Sequence, residues 1–178
     1  ESDDRSREIL PMGMRHQAHE IIRTWAFYTI VRSLYHTGSI PWKDIMISGF
    51  VLAKPGEKIS KSKNNAASSP MQLIETHSAD CIRYWTAGAR LGTDTFFSEE
   101  ELKVSKRFLN KLYNAAKFAG MHLEDYRPDC GETVRLLPPD LWILERVKEA
   151  SGEAAAFLEE YETGLARKKV DELFWEDF

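Results

Sequence analysis

Between Ile45 and Leu52 the chain runs Ile45-Met46-Ile47-Ser48-Gly49-Phe50-Val51-Leu52, apolar at nearly every position, so neither odd nor even side chains form a polar face. A half-solvated strand alternates. A strand without a polar face needs cover on both sides, which helices packed on a parallel sheet supply. A helical period precedes it: Ile21, Ile22, Trp25, Ala26, Thr29, Ile30 and Leu34 recur near 3.6 residues. The expectation is a helix from His16 to about His36, stopped by Gly38, feeding a strand at 45–52. That pair is half of an α/β crossover. Residues 9–14, Ile-Leu-Pro-Met-Gly-Met, read as a strand or a leading loop.

Residues 53–69 form a polar loop. Ser69-Pro70-Met71-Gln72 has the form of a capping box with proline at the first helical position, opening a short helix to about Thr76. Ser78 caps a second helix to about Ala89, and Gly92-Thr93-Asp94-Thr95 breaks it. Ser98-Glu99-Glu100-Glu101 is another capping box. It opens a helix of roughly 22 residues whose apolar stripe is Leu102, Leu109, Leu112, Tyr113 and Ala116. Residues 124–139, with Pro128, Gly131, Pro138 and Pro139, form a loop before two more helices. Ile143, Val147, Ala150, Ala154, Phe157 and Tyr161 mark the first, and Ala166, Val170, Leu173 and Phe174 the second. The fold class expected is α/β followed by all-α, changing near residue 98.

Composition narrows the classes. With 178 residues and 43% hydrophobic content a packed core is expected and disorder is not. No apolar run approaches the roughly 20 residues of a membrane span. The charged start, Glu1-Ser2-Asp3-Asp4-Arg5, carries no signal-peptide pattern and reads as a start in mid-protein. Cys81 and Cys130 lie far apart and make no CxxC pair, so neither a zinc site nor a disulfide framework is supported, and a cytoplasmic setting is the plain reading. A net charge of −4 confines any nucleic-acid binding to a local basic face.

The segment with most chemistry is Lys58-Ile59-Ser60-Lys61-Ser62-Lys63-Asn64-Asn65. Ligands of open α/β sheets bind beyond the carboxyl ends of strands. Ammonium groups there neutralise a polyphosphate, and hydroxyls and amides add hydrogen bonds. The alternative is a solvated lysine-rich loop. Lys103, Lys106, Arg107 and Lys111 recur on one side of the helix after Ser98, where a phosphate backbone could lie; the alternative is a solvated face. His16 and His19 have a spacing that suits a metal on a helix, but no acidic or sulfur partner matches them, and no metal site is expected.

The order Lys-Ile-Ser-Lys-Ser closely resembles the Lys-Met-Ser-Lys-Ser loop of class I aminoacyl-tRNA synthetases. The resemblance extends over nearly the whole chain. His16-Gln17-Ala18-His19-Glu20-Ile21-Ile22-Arg23-Thr24-Trp25-Ala26-Phe27 resembles the family segment before the last Rossmann strands. Ser78-Ala79-Asp80-Cys81-Ile82-Arg83-Tyr84-Trp85 is similar to the stretch after the lysine loop. Lys106-Arg107-Phe108-Leu109-Asn110-Lys111-Leu112-Tyr113-Asn114-Ala115 resembles the first anticodon-domain helix, and Asp140-Leu141-Trp142-Ile143-Leu144 and Phe174-Trp175-Glu176-Asp177-Phe178 later helices. Ile21-Ile22-Arg23-Thr24-Trp25 points to the valyl branch over the isoleucyl and leucyl ones.

The resemblance implies three parts: 1–69, the distal part of a Rossmann-type catalytic domain with the lysine loop; 70–97, a helical connecting, stem-contact region; and 98–178, a truncated anticodon-binding helical bundle. It implies activation of valine with ATP, accompanied by Mg²⁺, and esterification of tRNA(Val). Lys58 and Lys61 are then catalytic and bind ATP together with Ser60 and Ser62, while Lys63 stays solvated. Gln17, Glu20 and Trp25 line the amino-acid and adenylate pocket, though Trp25 also suits a plain core role. Lys103, Lys106, Arg107 and Lys111 bind tRNA. Two residues depart from the pattern: Ile59 replaces the commoner Met, a mild change, and Asn64 stands where relatives carry Gly. The family's His-x-Gly-His motif does not occur in the sequence. The chain therefore reads as a fragment whose partner is the rest of a synthetase chain. The alternatives are a stand-alone RNA-binding module derived from a synthetase and a fragment of the isoleucyl enzyme.

Overall fold

The computed structural model describes residues 9–54, 56–59, 69–127 and 135–178. The chain divides into two compact units, residues 1–65 with 90–96, and residues 66–89 with 97–178.

In the first unit β1 (Met12–Ala18) leads through a 3-10 turn (His19–Ile21) and a π turn (Ile22–Ala26) into α1 (Phe27–Thr37) and then β2 (Trp42–Ser48). β1 and β2 pair in parallel, from Met12 opposite Trp42 to Ala18 opposite Ser48, which makes a β-α-β crossover. The helix expected from His16 begins at His19 instead. His16, Gln17 and Ala18 complete β1, because pairing them with Met46, Ile47 and Ser48 uses backbone groups that a helix start would leave over. Gly38 ends α1 in the left-handed region (φ 72°), its N–H donating to the Leu34 carbonyl at 3.0 Å.

The strand expected at 45–52 is two strands, β2 and β3 (Val51–Lys54). Between them the backbone bonds to a distant segment. Phe50 N–H donates to Asp94 Oδ1 at 2.8 Å, Thr95 N–H to the Phe50 carbonyl at 2.8 Å, and Gly92 N–H to the Ile47 carbonyl at 2.9 Å. Gly49 has no side chain because one would occupy the place of the Thr93 carbonyl. β3 pairs antiparallel with β4 (Glu57–Lys58) and parallel with β5 (Thr95–Phe96).

The second unit is helical: α2 (Pro70–His77), α3 (Ala79–Ala87), α4 (Glu99–His122), α5 (Pro138–Glu159), α6 (Thr163–Glu172) and a closing π turn (Leu173–Asp177). Ser69 and Gln72 form a reciprocal capping box at 2.8 and 3.3 Å. Ser78 and Ser98 cap α3 and α4. The Glu101 carboxylate accepts from Trp85 Nε1 at 2.8 Å, tying α3 to α4. Pro138 and Pro139, expected in a loop, start α5, where the missing N–H groups cost nothing. The core holds Leu102, wholly buried, with Cys81, Trp85 and Phe108. Phe108 stacks on Tyr84 at 4.8 Å and meets Phe174 edge-on at 5.0 Å. Ion pairs Glu153–Lys169 (2.9 Å) and Arg146–Asp177 (2.8 Å) show that α5 runs antiparallel to α6 and its π turn.

Candidate functional site

In a parallel pair, directly opposed residues share a face, so Arg15 and Gln17 of β1 face the same way as Ile45 and Ile47 of β2. The helical stretch after β1 covers that face. Ile22, Ala26, Phe27 and Ile30 form an apolar cleft of about 350 Å³ with Ile45 and Ile47. Trp25 lies in the π turn, 43% exposed, and the Arg15 guanidinium carbon stands 3.7 Å from its ring centroid. Gln17 is only 4% exposed, and neither atom of its amide has a hydrogen-bond partner among the described residues. An unpaired buried polar group costs on the order of 1–3 kcal/mol. Groups kept at such a cost call for a specific role.

Glu20 belongs to the exposed 3-10 turn, one residue after His19, whose ring meets Phe50 edge-on at 4.5 Å. Gln17 therefore does not lie one helical turn before Glu20, as a helix from His16 would place it. It is a strand residue, and Glu20 follows in the turn. For the same reason His16, exposed on β1, and His19 are not neighbours on one helix face.

The lysine segment starts at β4. The Lys58 backbone pairs with Leu52, and Ile59 follows, 37% exposed. Ser60, Lys61, Ser62, Lys63 and Asn64 lie outside the described residues. The chain is described again at Ser69, the cap of α2.

On α4 the four basic residues are not equivalent. Lys103 and Arg107 both reach Glu100, at 3.4 and 3.9 Å. Lys111 Nζ lies 4.3 Å from the Trp175 ring centroid. Lys106 has no carboxylate partner among the described residues. It lines a cleft of about 690 Å³ with His77, Asn110 and Tyr113. At 100° per residue, the arc from Lys106 to Lys111 is about 140°, a broad flank and not a narrow line.

Sequence reasoning missed two features. One is Arg15 under Trp25, which shows itself only once β1 is known to extend past His16. The other joins α3 to α6. The Tyr84 hydroxyl donates to Asp171, and Arg167 Nη1 donates to the Tyr84 carbonyl at 2.9 Å while its guanidinium lies over the Tyr84 ring at 4.8 Å. Burial first, then the hydrogen bond to Asp171 and its charge, hold the Tyr84 phenol well above the usual tyrosine range. Gly88 gives the guanidinium room.

Among the described residues no helix is long and apolar enough to cross a membrane.

Two solved structures share this fold. Mycobacterium tuberculosis methionyl-tRNA synthetase in complex with methionyl-adenylate matches with a TM-score of 0.76 at 22% identity, over 97% of this chain and 34% of its own. The LeuRS of Agrobacterium radiobacter K84, in a ternary complex with tRNA and LeuAMS, matches with a TM-score of 0.74 at 17% identity, over 93% and 22%. In sequence the chain is similar to valine–tRNA ligases. It is 44% identical to that of Wolbachia sp. subsp. Brugia malayi over 99% of this chain and 20% of the relative, and 45% identical to that of Anaplasma marginale over 96% and 20%. For Rickettsia felis the identity is 42%, over 98% and 21%. The chain thus spans about a fifth of the length of these curated relatives. Residues 1–98 of the 178 match the family model for tRNA synthetases class I (I, L, M and V), and the chain belongs to that family.

Proposed function

We propose that this chain is part of an enzyme that activates valine with ATP and transfers it to tRNA(Val). The observation that carries the reading is 44% identity to a valine–tRNA ligase sustained over 99% of the chain. In the activation step a valine carboxylate oxygen bonds to the α-phosphorus of ATP, the bond to the bridging oxygen breaks, and pyrophosphate leaves with its electron pair. Negative charge grows on the phosphate oxygens in that transition state. Cations already in place there stabilise it more than the ground state. Lys61 and Lys58 are the catalytic cations, and Ser60 and Ser62 complete the ATP contacts. Mg²⁺ arrives with ATP on the phosphate oxygens.

Gln17, Glu20 and Trp25 form the amino-acid and adenylate pocket. They follow one another at the carboxyl end of β1, where open parallel sheets bind their ligands. Lys103, Lys106, Arg107 and Lys111 give α4 its basic flank for tRNA. Residues 1–69 act as the distal part of the catalytic domain, 70–97 as the connection, and 98–178 as the start of the anticodon-binding bundle.

The test is exchange of pyrophosphate into ATP by the full-length synthetase that carries this segment. Exchange should depend on valine, and Lys61→Ala should lower kcat and kcat/KM together, by roughly 30- to 1000-fold for a contact of about 2–4 kcal/mol. Dependence on isoleucine would transfer the reading to the isoleucyl branch. A near-normal Lys61→Ala rate would return the loop to solvent.

A further inference from the structure

We propose that Arg15 is a positioning residue for the amino-acid pocket: its guanidinium, laid against the indole of Trp25, fixes the ring on which the substrate side chain packs. This rests on the reading of Trp25 as a wall of that pocket.

A carbon 3.7 Å from the ring centroid is in van der Waals contact with the ring. Arg15 Nε is sealed from solvent with no hydrogen-bond partner, and no carboxylate lies within ion-pair distance of the guanidinium among the described residues. The indole is the side chain that the structure places against the cation. Attraction between a cation and a ring is strongest where the cation has lost its water.

The ring in turn needs holding. The backbone at Trp25 is tied, since its carbonyl accepts from Thr29 Oγ1 at 2.6 Å. The side chain is not tied in the same way. It leaves a π turn and is 43% exposed, and the outer torsion of a tryptophan has a broad energy profile. Arg15 comes from β1, whose backbone is bonded to β2 through Ile45 and its neighbours. The guanidinium thus anchors a ring on a turn to a strand in a sheet. A pocket that separates amino acids differing by one methylene depends on the wall standing in one place.

The experiment uses the full-length synthetase, with steady-state pyrophosphate exchange read separately for valine and ATP. Arg15→Met keeps the apolar stem and removes the flat cation. It should raise KM for valine about tenfold and change KM for ATP by less than about twofold. Arg15→Lys should recover part of the loss, since an ammonium still attracts the ring without covering it. In a Trp25→Leu background Arg15→Met should add nothing, the two acting as one unit. An unchanged valine KM in Arg15→Met beside a raised one in Trp25→Leu would overturn the role of Arg15 and leave the pocket standing. An unchanged KM in both would overturn the pocket reading and this proposal together. An equal effect of Arg15→Met with and without Trp25 would mean that Arg15 does not act through the ring. Should Arg15→Met fail to fold, Arg15→Gln gives the same comparison.

Discussion

Tyr84 shows how one residue's surroundings set a measurable property of the fold. Its phenolate is penalised by burial and by Asp171, which also accepts the hydroxyl proton in a hydrogen bond, while Arg167 pulls the other way. In an unfolded chain the group titrates near about 10. The folded protein keeps the proton where the unfolded chain has lost it, so unfolding releases a proton at alkaline pH. The stabilisation is complete below about pH 10 and is lost as pH rises from there towards the folded value. Tyr84→Phe cannot ionise. It should be less stable at neutral pH by about 1.5–3 kcal/mol, the range for a hydrogen bond to a charged group, yet decline less steeply above pH 10 or so. Urea midpoints from pH 7 to 11 or so would check this. Parallel curves for the two proteins would separate Tyr84 from the alkaline transition.

At the scale of elements, what the sequence could foretell follows the range of the interaction. Ser69, Ser78 and Ser98 were legible as caps because a cap is settled by residues three apart, and Pro70 by its own fixed geometry. The start of the first helix was not. The apolar period from Ile21 is real, but whether His16–Ala18 joins it depends on β2, nearly thirty residues on, offering an edge. The break at Gly49 was hidden for the same reason, since Asp94 and Thr95 claim the backbone there. Glu101 looked like the closing half of a capping box, and its carboxylate went to Trp85. For the candidate site, the lysine order carries a family resemblance in the sequence alone, with residues 60–64 outside the described residues, whereas the stacking of Arg15 on Trp25 needed the fold. The basic flank of α4 also changes on inspection. Lys103 and Arg107 already hold Glu100, and Lys111 lies over Trp175, so Lys106 is the cation with least to give up. Replacing Lys106 and Arg107 with Ala should weaken tRNA binding and flatten its log–log salt dependence by about 0.7–0.9 for each phosphate left without its cation. Filter binding across salt concentrations reads this directly. An unchanged slope would leave α4 a solvated face, and a parallel loss of tRNA-free adenylation would mark it as a support of the fold.

For the molecule as a whole, the share of its relatives that it spans governs what it can do alone. On the proposed reading, a chain about a fifth as long as those ligases, without a His-x-Gly-His tetrapeptide, would hold only part of a nucleotide site. The isolated 178-residue chain should show no valine-dependent pyrophosphate exchange where the full-length enzyme does, and clear turnover by the purified chain would contradict that. The path of the chain between its two units has a practical consequence. The backbone leaves the first unit after residue 65, returns for residues 90–96, and leaves again. No single cut yields both units intact. Severed after Ser69, the first unit loses the strand that pairs with Val51 and Leu52, together with the donors to the Phe50 and Ile47 carbonyls. Severed after Phe97, it keeps them but carries α2 and α3 away from the helix on which they pack. Anyone dissecting this region inherits a choice between two incomplete halves, and the natural repair is complementation in trans, with a short peptide spanning residues 90–97 supplied to the piece that lacks it.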